Sequence, residues 1–331
     1  MKNKIIKILI RLFLIIICLI GVHTINSKWE KIVTGSMDSK SDNGDFVKQT
    51  FVIKDNTYDI SSINDLRSDI INSYSQEYGL SMQETLDKII DTYNGVDNYI
   101  FNNNDIYSKA ETIIIGEHFF AFHNFTLLSG AYFIENNDTS RRIVINKPLA
   151  YKLFGSYEVA GLTIMYENKL LYIAGVVDDV EPFVDKALNN DIPRAYIMYD
   201  NYILDNKDTS INSYEFMYEE SIDGLFENYI MENILCECGD DDEEIEEKKI
   251  IIYNENNRFS IFKVYDIVSD LIKGFDRENG CTITFWEKRA KLYSIILLCI
   301  TLSIVYLFIG LIHEFIIDYK AFKNYLHDRT D

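Results

Sequence analysis

The sequence predicts an α+β protein in which two transmembrane helices enclose an extracytoplasmic domain. This domain consists of two flanking α/β pieces that form one lobe, and of a β-rich lobe inserted between them. Three observations predict the fold. Residues 292–312 carry no charge, and a helix of that length crosses the core of a bilayer. Residues 12–22 are also apolar. Between these stretches, helix and strand patterns alternate on either side of a run of short strands.

The N-terminal segment is open to two interpretations. Its basic residues, followed by an apolar run, match the plan of a signal peptide. The next stretch, GVHTINSKW, lacks small residues at the spacing of a cleavage site, and Lys7 and Arg11 can extend their charged ends to the membrane surface. We therefore favour an uncleaved anchor over a cleaved signal peptide. The basic residues Lys2, Lys4, Lys7 and Arg11 place the N-terminus in the cytoplasm, and two spans return the C-terminus there.

The chain is accordingly predicted to contain four regions. These are the cytoplasmic N-terminus with the first transmembrane helix (1–25), the extracytoplasmic domain (26–290, with its β-rich lobe at about 117–200), the second transmembrane helix (291–317) and a cytoplasmic tail (318–331). The chain has 52 acidic and 32 basic residues, and a formal charge of -20. Nucleic acid is therefore not a predicted partner, because binding to phosphates needs an excess of Lys and Arg. Membrane lipid is a predicted partner of the two helices.

The first flanking piece is predicted to be β-α-α-β. Residues 46–55 indicate a strand, and residues 61–80 repeat apolar side chains at helical spacing. Ser81 with Glu84 is the pattern of a capping box, which predicts that a second helix begins there. The apolar face of this helix is formed by Leu86, Ile89, Ile90 and Tyr93. The β-branched run at 110–117 predicts the closing strand.

The β-rich lobe shows short strands separated by turns. The sequence YENK at 166–169 lies between two apolar runs, as a hairpin turn does. A single helix is predicted in this lobe, at residues 146–155. Its signals are a capping residue, a proline in the first turn, an apolar face and a glycine that ends it. Asn146 is the capping residue, Pro148 lies in the first turn, Leu149 and Leu153 form the apolar face, and Gly155 ends the helix.

The last flanking piece returns to alternating strands and helices. Strands are predicted at 213–220 and 248–255, and helices at 222–235 and 258–275. The acidic run GDDDEEIEEKK at 239–249 has the carboxylates that calcium prefers. It lacks the ligand spacing of a calcium-binding loop, so that a solvated loop is the better interpretation.

No catalytic, cofactor-binding or metal-ligating residue is predicted, and the chain is not predicted to be an enzyme. The sequence contains no phosphate-binding Gly-x-x-x-x-Gly-Lys-Ser/Thr loop, no His-Glu-x-x-His and no Gly-x-Ser-x-Gly motif. His118 and His123 are interpreted as packed or exposed side chains rather than as ligands. The cysteines outside the spans are Cys236, Cys238 and Cys281. They permit a Cys236–Cys281 disulfide, and unpaired thiols are the simpler interpretation.

Residues 117–179 carry a longer pattern. A Phe-Phe pair and a Leu-Leu-x-Gly run precede a helix that ends in Leu-Phe-Gly, and a strand with Gly-Val-Val follows. The residues that form the pattern are Phe119, Phe120, Leu127, Leu128, Gly130, Phe133, Asp138, Val144, Ile145, Asn146, Leu149, Ala150, Leu153, Phe154, Gly155, Gly161, Ile164, Gly175, Val176, Val177 and Asp179, with residues 195–199. This pattern resembles the periplasmic core domain of the macrolide-exporter (MacB-like) and FtsX-like ABC transporter permease family.

The resemblance implies a non-catalytic, membrane-anchored subunit whose extracytoplasmic domain is coupled to a separately encoded ABC ATPase, for export or for mechanotransmission. Members of the family have four spans, and a second permease-like chain is therefore implied as a partner. No cofactor is implied. The implied location is the cell membrane, with two passes. Two alternatives stay open: a free-standing surface binding module, and an activator of a cell-wall hydrolase, as FtsX-like members are.

Overall fold

The computed structural model describes residues 2–34, 45–53, 58–123, 125–133, 141–167, 169–199, 210–220, 225–230, 250–254, 277–278, 281–282 and 284–327. The helices are α1 (Lys2–Thr34), α2 (Ile60–Tyr78), α3 (Met82–Leu86), α4 (Phe119–Phe122), α5 (Lys147–Phe154), α6 (Pro182–Leu188), α7 (Leu225–Tyr229) and α8 (Phe285–His327). Both α1 and α8 contain a stretch long and apolar enough to cross a membrane, Ile5–Ile25 and Phe285–Ala321. The predicted order of apolar helix, mixed α and β domain, and apolar helix is confirmed.

The domain is built on one large sheet. The strands are β1 (Asp45–Ile53), β2 (Ile89–Asn103), β3 (Ile106–Ile115), β4 (Thr126–Gly130), β5 (Arg142–Asn146), β6 (Thr163–Tyr166), β7 (Lys169–Asp178), β8 (Arg194–Met198), β9 (Ser213–Glu220), β10 (Ile250–Asn254), β11 (Arg277–Glu278) and β12 (Cys281–Thr282). Ten of them form a sheet in the order β10-β1-β9-β2-β3-β8-β5-β7-β4, with β6 paired to β2 and β7. The flanking pieces and the inserted lobe therefore share one sheet, and β2 and β3 join them.

The central strands of this sheet are buried on both faces. In β5, Ile143 and Ile145 belong to the hydrophobic cluster that α5 covers, which we call the α5 face. Val144 between them belongs to a second cluster, rich in aromatic side chains, which we call the aromatic face. Successive residues of a strand point to opposite faces, and a strand buried on both therefore appears as a continuous apolar run.

The first flanking piece differs from its prediction at the second helix. Helix α2 has its predicted apolar face buried, and the Ser81–Glu84 capping box begins α3. That helix ends at Leu86, however, and the residues from Ile89 onward lie in strand β2. The helical spacing of Ile89, Ile90 and Tyr93 was therefore misleading. Strand β2 pairs with β9 on one side and with β3 on the other, and this pairing outweighs local propensity.

The β-rich lobe contains its predicted helix and two more. Asn146 caps α5 by accepting a hydrogen bond from the backbone of Leu149 (3.0 Å), and Gly155 ends it with a left-handed φ of 71°. Leu149 and Leu153 are fully buried. The prediction of a single helix here was wrong, because α4 and α6 also lie in this lobe. Both are too short for a helical period to be recognised. The hairpin turn at 166–169 is confirmed between β6 and β7.

The last flanking piece is described in part. Strands β9 and β10 and the short helix α7 agree with the predicted elements. The acidic run at 239–249 and the predicted helix at 258–275 lie outside the described residues. The same holds for Cys236 and Cys238, so that the described residues test neither the possible Cys236–Cys281 disulfide nor the favoured interpretation of unpaired thiols.

Candidate functional site at the start of helix α8

The first turn of α8 belongs to the domain. The chain divides into two compact units, and residues up to Arg289 cluster with the domain rather than with the apolar helices. Phe285 and Trp286 are 3% exposed and join the aromatic face of the sheet. The ring of Trp286 contacts those of Phe119 and His123, with centroids 5.7 and 4.3 Å away. The helix thus begins inside a hydrophobic core.

Arg289, one turn further along α8, is bound to two acidic residues of the β-rich lobe. Its Nε donates to Oδ1 of Asp185 at 2.7 Å, and its Nη2 donates to Oδ2 of the same carboxylate. Nη2 also donates to the backbone carbonyl of Asp179. Asp185 itself is fully buried, and its Oδ2 accepts the backbone N–H of Glu181 at 2.6 Å. Two parallel N–H···O bonds between arginine and carboxylate fix the relative orientation of both groups.

Arg194 in β8 makes a second buried ion pair beside the first. Its Nη1 lies 3.4 Å from Oδ2 of Asp179, and its Nε donates to Oε1 of Glu111 at 2.8 Å. Its Nη2 donates to the carbonyl of Asn190 at 2.6 Å. Burial alone would lower the pKa of Arg194, but Asp179 and Glu111 raise it above the usual value. The guanidinium is therefore charged and fully enclosed.

Asp179 also ties this pair to the sheet and to α5. Its Oδ2 accepts the hydroxyl of Tyr196 at 2.6 Å, and its Oδ1 accepts the amide of Asn146 at 3.0 Å. Burial and the neighbouring Asp179 raise the pKa of Tyr196 well above its usual value, so that its hydroxyl is a hydrogen-bond donor. Asn146 Oδ1 accepts the backbone N–H of Arg194 at 2.9 Å. One asparagine thus caps α5 and supports the ion pair.

We call Asp179, Asp185, Arg194 and Arg289 the junction network. Its two cations and two anions balance, and both guanidinium groups lie near the ring of Phe285, with Cζ of Arg194 at 3.9 Å and Cζ of Arg289 at 4.7 Å from the ring centroid. Such contacts are favourable when they are shielded from water. The network holds no nucleophile, and what it can do is fix the start of α8 in one position.

A second buried charge cluster lies beside Trp286. Lys48 Nζ is 2.9 Å from Oε2 of Glu215, and His123 Nε2 is 3.0 Å from Oε1. Burial lowers the pKa of His123, against the opposing effect of Glu215. Burial alone would raise the pKa of Glu215, but His123 and Lys48 lower it to about 2. His123 is therefore packed, which is one of the two interpretations, packed or exposed, that the sequence left open.

The two apolar helices contact each other through an ion pair. Arg11 Nη1 lies 2.9 Å from Oε1 of Glu314 and donates to the carbonyl of Gly310 at 2.6 Å. Ionisable residues within spans are rare and pair with one another where they occur. The hydroxyls of Thr301 and Ser303 bond to carbonyls of α8 itself, at 2.9 and 2.8 Å.

Sequence reasoning found part of this site. Asn146 and Asp179 belong to the motif that carries the family resemblance, but neither was singled out as a buried hydrogen-bond partner. Arg289 and Asp185 were missed, and the only signal was a basic residue placed just before an apolar span. Within the described part of the chain, no group of three His, Cys, Asp or Glu side chains could hold a metal ion.

The chain is similar to solved domains of two other proteins. No protein-family model matches the chain, and no curated protein does. The chain is similar to the periplasmic region of MacB from Actinobacillus actinomycetemcomitans, at 15% identity over 69% of this chain and 92% of that one, with a TM-score of 0.45. It is also similar to the extracellular domain of the noncanonic ABC-type transporter YknZ from Gram-positive bacteria, at 13% identity over 62% of this chain and 100% of that one, with a TM-score of 0.39.

Proposed function

We propose that this chain is a non-catalytic, membrane-anchored subunit of the MacB/FtsX type of ABC permease. Its extracytoplasmic domain is coupled through the spans to a separately encoded ATPase, and a second permease-like chain supplies further spans. The observation that carries the proposal is the junction network. It binds the first turn of α8 inside the domain, and the same helix continues through an apolar stretch long enough to cross a membrane.

The physical argument concerns stiffness. A continuous helix transmits displacement along its axis, whereas a flexible linker absorbs it. The bidentate contact between Arg289 and Asp185 has one favourable geometry, and separating the two would leave charges buried without partners. A movement of α8 imposed from the cytoplasmic side therefore reaches α6, which carries Asp185, and the end of β7, next to Asp179. Transmission of this kind needs no bond chemistry in the domain.

Co-purification tests the proposed partners. The tagged full-length chain is solubilised gently from membranes in which its genomic neighbours are expressed, and the bound proteins are identified by mass spectrometry. An ABC ATPase and a permease-like chain are expected. Recovery of the chain without either contradicts the proposal, and recovery of a secreted cell-wall hydrolase alone favours the hydrolase-activator alternative.

A conservative substitution separates coupling from attachment. Arg289→Lys keeps the charge but loses the planar two-donor contact with Asp185. The variant is expected to recover the ATPase in the wild-type amount, with altered ATP hydrolysis, because the spans are intact. Arg142→Lys, in a different strand of the same lobe, is the matched control and is expected to leave hydrolysis unchanged. An unaltered rate for Arg289→Lys would mean that the network is not the coupling element.

Labelling with an impermeant thiol reagent tests the orientation. In a background with the five native cysteines replaced by serine, Asp105→Cys, in the exposed turn between β2 and β3, is expected to react in intact cells. A cysteine added after Asp331 is expected to react only after the membrane is opened, because the basic N-terminus resists translocation and two spans follow. Reaction of the tail in intact cells would overturn this topology.

A further inference from the structure

A cleft in the domain lies between helix α2 and one edge of strands β2, β3 and β8. Its volume is about 370 Å³, within the range of roughly 300–1,000 Å³ of small-molecule sites. The polar residues that line it include Arg67, Asp91, Thr92 and Glu117. It shares no lining residue with the junction network, and the proposed coupling function does not use it.

One hydrogen-bonding group of this cleft is buried without a partner among the described residues. Arg67 Nη2 lies 2.9 Å from Oδ1 of Asp91, but no described residue accepts a hydrogen bond from its buried Nε. Leaving a buried donor of this kind unpaired is unfavourable. A carboxylate is the acceptor that best matches the planar donors of arginine.

The other charges of the cleft disfavour a simple anion. Asp91 is buried and accepts the hydroxyl of Tyr214 at 3.0 Å. Burial raises the pKa of Asp91 and Glu117 raises it further, while Arg67, Tyr214 and His118 oppose the rise. Glu117 lines the same cleft as Asp91. An ammonium group near these two acids would be favoured.

The apolar part of the cleft is formed by aromatic and aliphatic side chains. The rings of Tyr93 and Tyr199 meet edge to face at 5.8 Å, and Ile115 and Met198 line the same cleft. The ring of Tyr93 lies against Gly116, where an added Cβ would be 2.8 Å from its Cε1. Aromatic faces bind both aliphatic groups and ammonium cations.

From these contacts we propose that the cleft binds a small zwitterion with the size of an amino acid or dipeptide. The carboxylate is held by Nε of Arg67. The ammonium group lies toward Glu117, and the side chain packs on the two tyrosine rings. A zwitterion satisfies the unpaired donor of Arg67 and the acidic groups Asp91 and Glu117 together, which an anion or a cation alone does not.

Calorimetric titration of the purified full-length chain in detergent tests the site, with L-leucine and L-leucylglycine as probes. At least one of them is expected to bind saturably. N-acetyl-L-leucylglycine and L-leucylglycinamide each lack one charge, and are expected to bind at least about tenfold more weakly, because each loses a charge-assisted hydrogen bond. Failure of both zwitterions to bind overturns the proposal. Equal binding of either one-charge analogue overturns it as well.

Variants of the cleft give the second test. Arg67→Lys keeps the charge and loses Nε, and is expected to weaken binding about tenfold. Gly116→Ala displaces the ring of Tyr93 and is expected to weaken binding too. Arg142→Lys, outside the cleft, is the matched control and is expected to bind as wild type. Melting temperatures establish that each variant is folded. Wild-type affinity in folded Arg67→Lys would overturn the proposal.

Discussion

The two faces of the central sheet are closed by different chemistry. On the α5 face, Leu149 and Leu153 pack on apolar side chains of the strands. On the aromatic face, Phe285 and Trp286 also bury apolar rings, but the junction network adds four buried charges beside them. Apolar contacts change gradually when side chains shift, whereas a separated buried ion pair loses its partner altogether. Helix α8 is therefore held to its face by directional contacts, whereas α5 is held mainly by apolar ones.

Removal of one charge from the aromatic face has the largest expected effect. Arg289→Met leaves Asp185 buried without its partner, which is expected to lower the free energy of unfolding by about 3–5 kcal/mol. The free energy of unfolding is measured by urea titration and monitored by the fluorescence of Trp286, in a background in which Trp29 is replaced by phenylalanine. The exposed Arg141→Met is the matched control, expected within about 0.5 kcal/mol of wild type.

A double variant sharpens the same point. Adding Asp185→Asn to Arg289→Met removes the uncompensated charge, and is expected to recover part of the lost stability. If the effects of the two substitutions on the free energy of unfolding simply add, Arg289 and Asp185 do not act as a pair. The contrast between the two faces then disappears.

Truncation on the α5 face is expected to cost nearly as much, for a different reason. Leu153→Ala removes a fully buried side chain and leaves a cavity, which lowers the free energy of unfolding by about 2–5 kcal/mol. This loss is independent of pH, since no charge is involved. The loss of stability is measured by thermal melting, and Lys152→Ala, a substitution of an exposed neighbour, is the control. A change as small as that of the control would place Leu153 outside the core.

The contribution of the aromatic face to stability is also expected to depend on pH. Because burial lowers the pKa of His123, the unfolded chain takes up this proton first. Its contribution to stability is complete above about pH 6.5 and is lost as the pH falls below it, by at most about 1.4 kcal/mol per pH unit. The lowered pKa of Glu215 acts in the same direction at lower pH, below about 4.5.

Urea unfolding at pH 7 and pH 5 measures this effect. His123→Gln, which keeps a donor toward Glu215, is expected to reduce the loss of stability between the two values. His118→Gln is the matched control and is expected to keep it. Equal pH dependence of the two variants would contradict the assignment to His123.

The smallest expected effect concerns the end of α5. Gly155 has a left-handed backbone, which a β-branched residue adopts only with strain, and Gly155→Val is expected to cost about 1 kcal/mol or more. Gly155→Asn, which tolerates this conformation, is expected to cost less. The difference in melting temperature between the two variants is the measurement, and identical values would remove the argument from backbone strain.

The α5 face could be predicted because its signals are local. A cap, a proline, two leucines and a glycine within ten residues define the helix and its buried side. The aromatic face offered no such signal, since Arg289 and Asp185 are 104 residues apart and become neighbours only through the sheet. The same limitation explains the error at Ile89, where pairing with distant β9 decided the conformation.

The ion pair between the apolar helices has a consequence for the order of synthesis. Arg11 precedes its partner Gly310 by 299 residues, which takes a ribosome roughly 15–60 s at about 5–20 residues per second. During this interval α1 is in the membrane with a cation whose partner Glu314 is still to be made, and only the nearby cytoplasmic surface can hydrate it. Helix α8, which is translated after α1, supplies the carboxylate that pairs with Arg11. A nascent chain that stops before α8 therefore differs from the finished protein by an unneutralised arginine in a membrane helix.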